Sequence, residues 1–228
     1  MIVVIGSPFI VPGDPGRRST AAGRPIDVAR GAIDGGGAVQ LVGKIGDDPA
    51  GDALLLALAD AGIGHVALLR DPARATPVAP IAAAIGDALI LEEDDGPFAE
   101  ASAARPADST GPDEPVPTID GGDLDLALRY LPDHVVVVVA ERLDADAMAI
   151  VVADCGYVGA VLVVILEPGS APPELPLSAT VFEAPDRDPE GLFGRTVGGF
   201  AAALDRGERG AEALARATAG AGWQPAAS

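Results

Sequence analysis

The chain has 228 residues, 49 % of them apolar, and a mean hydropathy of +0.31, enough to bury one sizeable core. Its formal charge is −19, with Lys44 as the single lysine, so neither a nucleic acid nor an anionic membrane surface is expected as a partner. A single cysteine, Cys155, allows no internal disulfide, which points to a cytoplasmic address and a small buried apolar role for that residue. In chain order, IVVIG (2–6) reads as a buried strand; its apolar run is too short for a signal peptide and lacks a basic flank. The glycines at 35–37 make a loop before a second strand, AVQLVGKIG (38–46), and no G-K-[ST] follows to make them a P-loop.

Residues 49–63, PAGDALLLALADAGI, have helical period, with Leu54, Leu55, Leu58 and Ala61 on one face. HVALLRD (65–71) and the pair PVAPIAAAIG and DALILEEDDG (77–96) read as hairpin strands, and 97–122 as a long Pro-, Ala- and Asp-rich loop without period. LDLALRYLP (124–132) is a short helix ended by Pro132, and HVVVVVA (134–140) a strand apolar on both faces, as in the interior of a parallel sheet. Residues 144–160 form a helix capped by Asp144, and AVLVVILEPG (160–169) the next central strand. DPEGLFGRTVGGF (188–200) is a glycine-bearing loop that opens a helix over AAALDRGERGAEALARA. No apolar run reaches the length of a membrane span. The class is α/β, three-layered, in a single domain.

The stretch from Leu41 to Val78 resembles the ribokinase/PfkB family of carbohydrate kinases. It carries Gly43, Gly46, Asp47, Asp48 and Gly51 in a G-x-x-G-D-D-x-x-G block, then Ala61-Gly62-Ile63 and the Thr76-Pro77 step. MIVVIGSPF is similar to the family's opening strand, and DPEGLFGRTVGGF stands where the family has D-x-x-G-A-G-D-x-F. The resemblance implies a mainly parallel central sheet flanked by helices, a pocket for a sugar or nucleoside, and a small β lid, here around 76–91, through which two copies dimerise.

Carried over residue by residue, the resemblance implies a degenerate site. With Asp188 and Gly191 aligned, the position of the family's general base falls on Gly194, and Phe193 replaces a glycine of the phosphoryl cradle. The substrate aspartate five residues after Gly6 becomes Val11, and the G-G-x-x-x-N patch becomes Ala22-Gly23 with Asp27, which accepts hydrogen bonds but donates none when ionised. The segment SAPPELPLSATVFEAPDR lacks the N-x-x-E motif and the further strands of the nucleotide floor. Loss of a general base alone costs about 10²- to 10⁴-fold in rate.

The expected function is therefore a ribokinase-like protein that has lost phosphotransfer and acts by binding a small polyhydroxylated ligand or by self-association, with no cofactor. The alternative is an active ATP- and Mg²⁺-dependent sugar or nucleoside kinase with a rearranged site, in which Asp188, or else Asp186 or Glu190, is the displaced base. Candidate ligand contacts are Asp27 and Gly23 for hydroxyls and Gly191, Gly194 and Arg195 for an anion. Asp47 and Asp48 read as a turn and a helix cap in preference to a metal site. His65 and His134 have no zinc-type spacing and read as strand-edge residues, Ser7 lacks a nucleophile elbow, and Trp223 is a docking residue.

Overall fold

The computed structural model describes residues 1–13, 17–79, 115–188 and 190–220. Six strands form one parallel sheet in the order β5-β4-β1-β6-β7-β8: β1 Ile2–Ile5, β4 Val39–Gly46, β5 Gly64–Asp71, β6 Val136–Val139, β7 Val161–Leu166 and β8 Thr180–Glu183. A separate antiparallel ribbon joins β2 Phe9–Val11 to β3 Thr20–Ala22. The helices are α1 Arg24–Asp34, α2 Pro49–Asp60, α3 Gly121–Arg129, α4 Ala145–Val158, α5 Leu192–Asp205 and α6 Gly210–Gly220.

Side-chain alternation sends each strand into two cores. Ile2, Val4, Leu41, Ile45, Val136 and Val138 pack against α1, α2 and α5, where Ile26, Leu54, Leu58, Val197 and Phe200 are buried. Val3, Ile5, Val42, Val137 and Val139 face α3 and α4, where Leu124, Leu128, Met148 and Val151 are buried. Phe200 meets Phe182 of β8 edge to face, with ring centroids 5.2 Å apart. The three-layer α/β expectation holds.

Several local expectations are corrected. HVALLRD is no hairpin strand: Gly64–Asp71 pairs in parallel with β4 as an edge of the main sheet, because the turn at Ala61-Gly62 returns the chain from α2 to the same end of the sheet. The loop expected through residue 122 ends earlier, since Asp120 caps α3 in a reciprocal capping box with Asp123. SAPPELPLSATVFEAPDR does contain a strand, β8, which pairs with β7. The terminal helix is two helices, divided at Gly207 with φ 84°, a left-handed turn that only glycine adopts freely. Helix α1, Arg24–Asp34, has no counterpart among the elements expected from the sequence. The expected lid hairpin, beyond Ala79, and Trp223 lie outside the described residues.

Helices α1 and α5 cross at backbone contact. A Cβ on Gly198 would collide with the Val28 carbonyl oxygen and lie 2.6 Å from the Ala32 nitrogen, and one on Gly31 would collide with Arg195 backbone. These glycines bring the start of α5 directly against the first turn of α1, and that contact positions the candidate site.

Candidate functional site at the start of helix α5

The amides at a helix start lack intrahelical partners and attract an anion. In α5 that anion is the chain's own. Asp188 Oδ1 accepts from the Phe193 N–H at 3.1 Å, and Oδ2 accepts from the Gly194 N–H at 3.3 Å. Gly191 turns the chain between them in the left-handed conformation, φ 64°, and its N–H donates to the Asp188 carbonyl at 3.1 Å.

A second carboxylate lies across this turn. A Cβ on Gly191 would collide with the Asp27 carboxyl, and one on Gly194 would lie 2.7 Å from the Asp27 Cβ. Gly194 is thus buried beneath Asp27, in the first turn of α5. Burial pushes the Asp27 carboxyl above the usual carboxylate range; Arg30, 4.0 Å away, opposes this, the Asp188 charge adds to it, and Arg195 opposes it. Arg195 is exposed, as are Asp186 and Glu190. Gly23 caps α1 with φ 107°, and a side chain there would press on the Phe9 ring of β2, the strand that also carries Val11.

The structure also assembles polar groups that sequence reasoning missed, at the carboxyl ends of the central strands. The strand order reverses direction at β1, the switch point where open α/β sheets form a crevice. There Ser7, just after β1, donates from its N–H to Glu141 Oε2 at 3.0 Å and from its hydroxyl to Glu141 Oε1 at 2.9 Å. Arg24, entering α1, makes a forked pair with Glu167 at 2.8 and 3.2 Å. Its guanidinium also donates to the Ala140 carbonyl at 3.5 Å. The available signal was a glutamate placed one or two residues after an all-apolar strand, as in VVVVVAE and VVILE.

No family model and no curated protein sequence matches the chain. Among solved structures, the protein Sa239 superposes with a TM-score of 0.62 at 11 % identity, covering 99 % of this chain and 95 % of its own. Arabidopsis thaliana ribokinase, solved with ribose and ATP, gives 0.58 at 14 % identity, covering 96 % of this chain and 90 % of its own. The fold is ribokinase-like.

In this ribokinase-like fold the G-D-D-x-x-G block is a structural pin. Asp48 Oδ1 accepts from the Gly51 N–H at 2.7 Å and caps α2, while Oδ2 accepts from the Thr76 N–H at 2.7 Å. The Thr76 hydroxyl in turn accepts from the Gly46 N–H at 2.9 Å. Burial raises the Asp48 carboxyl, but the bonds from Thr76 and Gly51 outweigh it and hold the group below its usual range. Asp47 pairs with Arg70 at 3.1 Å. Among the described residues no three His, Cys, Asp or Glu side chains come together as a metal site, and no helix is long and apolar enough to cross a membrane.

His65 lies on edge strand β5 as expected, but His134 does not behave as a strand-edge residue: it is buried beside Asp154. Cys155 is buried on α4, as its small apolar character implied. A groove of ≈ 330 Å³ runs between α3 and α4, lined by residues such as Asp125, Leu128, Ile150 and Tyr157, and includes none of the cluster at α5.

Proposed function

We propose that this ribokinase-like protein no longer transfers phosphoryl groups and acts by binding a small polyhydroxylated ligand or by self-association. The observation that carries the proposal is Asp188: its carboxylate fills the two amides, Phe193 and Gly194, that would otherwise receive an anion at the start of α5. A phosphoryl oxygen arriving there would displace that carboxylate while facing Asp27 across the turn, two like charges against one transferred group. Gly194 supplies no side chain to take a proton from a hydroxyl, and Phe193, whose side chain packs against the core, stands where the resemblance implies a glycine. Asp27 and the Gly23 turn remain suited to hydroxyl recognition, since an ionised carboxylate accepts hydrogen bonds from sugar O–H groups.

Under the alternative, an active kinase with Asp188 as displaced base, that carboxylate would take the substrate proton on a lone pair left free by its bonds to the Phe193 and Gly194 amides. The deciding experiment is a panel of sugars and nucleosides assayed with ATP and Mg²⁺, by thermal shift and by turnover. A shift with a polyhydroxylated compound, none with ATP, and no turnover are expected. Turnover that disappears in a folded Asp188→Asn variant overturns the proposal. The lid around 76–91 is the proposed dimer surface, and light scattering that returns a monomer removes the self-association arm.

A further inference from the structure

Helix α4 is apolar nearly all round. Its only charged residues are Asp146, in the first turn, and Asp154; the others are Ala, Met, Ile, Val, Cys, Gly and Tyr. A surface helix gives its outer side to charged and polar residues, whereas a helix apolar on every side is covered on every side. Ala147, Met148, Val151 and Cys155 face the core. On the opposite side Ala149, Ala153 and Tyr157, spaced four residues apart, form one exposed stripe, and Tyr157 is 91 % exposed. The stripe borders the groove of ≈ 330 Å³ between α3 and α4, to which Leu128 and Ile150 give apolar walls. That volume is at the small end of ligand-sized pockets, about 300–1,000 Å³, and has room for a single aromatic side chain. The charges of the groove are engaged within the chain: Asp125 pairs with Arg129 at 2.7 Å, and Asp154 Oδ2 lies 2.8 Å from Nε2 of the buried His134. A projecting ring and a cavity of its size thus stand side by side on one uncharged face.

We propose that this face is an interface between two copies of the chain, related by a two-fold axis, in which α4 lies against α4 and each Tyr157 ring enters the other copy's α3–α4 groove. In such a contact one surface meets itself, so a projecting residue and the cavity that receives it must lie on the same patch. Charge selects a second copy as the occupant. The chain carries −19, and two copies repel wherever their carboxylates meet. That repulsion is least along the Ala149, Ala153 and Tyr157 stripe, and depletion of charge around an exposed aromatic residue is the composition of an interface core. A basic partner would be steered instead to the carboxylates elsewhere on the surface. At the rim Asp125 and Arg129 supply one charge of each sign, which two copies can exchange across the axis. The surface is separate from the lid around 76–91, and the two are told apart by experiment.

The test is analytical ultracentrifugation of the full chain at micromolar concentration, beside Tyr157→Ala, Ala153→Arg and the control Leu56→Ala. Both α4 positions are exposed and both new residues are good helix formers, so the variants keep their fold, which circular dichroism checks. Leu56, on α2, is 70 % exposed and equally apolar, but stands beside no such groove among the described residues. The wild type is expected to sediment with at least twice the mass of one chain. Tyr157→Ala is expected to weaken the association about 10³-fold, because each dimer loses two copies of a central aromatic residue, and Ala153→Arg to dissociate it as well. Leu56→Ala is expected to keep the wild-type mass. A wild type that sediments as one chain overturns the proposal, together with the self-association arm of the proposed function. An assembly whose mass survives in both folded α4 variants, or falls equally in all three, overturns this interface alone and leaves self-association to another surface.

Discussion

Asp48 is a single side chain that joins three segments, and replacing it with alanine tests whether the G-D-D-x-x-G block is a pin for the fold. Alanine removes the cap on α2, at about 1 kcal/mol. It also strands the N–H of Thr76, a residue only 1 % exposed, at a further ~1–3 kcal/mol. Asp48→Ala should therefore lose roughly 2–4 kcal/mol in urea unfolding followed by circular dichroism at neutral pH, with an unchanged m-value. Asp47→Ala is the control. That side chain is exposed and its partner Arg70 also holds Asp52, so its loss should stay within about 0.5 kcal/mol. The sign with pH is fixed as well. Because the folded carboxyl of Asp48 is held below its unfolded value near 3.9, its contribution is present above that pH and fades as pH falls through the folded value. The penalty of Asp48→Ala should then shrink in strong acid. Equal losses for the two variants, or a penalty that grows in acid, would refute the reasoning.

Asp27→Asn should raise the melting temperature at pH 7. The folded Asp27 binds its proton more tightly than the unfolded chain does, so wild-type stability declines as pH climbs from the ordinary carboxylate range through the raised value, and the amide removes that decline. The gain should vanish near pH 3; a gain of equal size at both pH values would point to packing instead. Gly198→Ala should cost ~1–3 kcal/mol or more, because backbone of α1 occupies the place of the new methyl. Gly156→Ala, in α4 with nothing within 4 Å of the methyl, should instead gain roughly 0.5–1 kcal/mol from helix propensity. Similar melting curves for the two glycine variants would mean that α1 and α5 are not in backbone contact.

Much of the frame was legible before any coordinates. Strands β1, β4, β6 and β7 announced themselves as short β-branched runs, and helices α2 and α4 by period and by their caps Asp48 and Asp144, whose side chains accept from Gly51 and Ala147. These signals are local: a cap acts within three residues, and a buried strand in a parallel sheet is apolar on both faces wherever it is placed. Strand β8 escaped because its four residues alternate between half-buried and exposed, with no continuous apolar run to mark them. Helix α1 escaped because its buried face mixes two alanines with Pro25, Gly31 and the β-branched Ile26 and Val28, residues of weaker helix propensity that dilute the helical signal.

The site divides in the same way. The sequence alone determined that Gly194 carries no side chain, that Phe193 puts an aromatic ring beside it and that Asp27 is a carboxylate. Tertiary structure decided what those residues meet. Asp188 turned back onto the α5 amides, Asp27 was laid over Gly191 and Gly194, Ser7 met Glu141 across 134 residues of chain and Arg24 met Glu167 across 143. Contacts at such separations depend on strand order and on how closely α1 and α5 approach, and no periodicity within a short window encodes either.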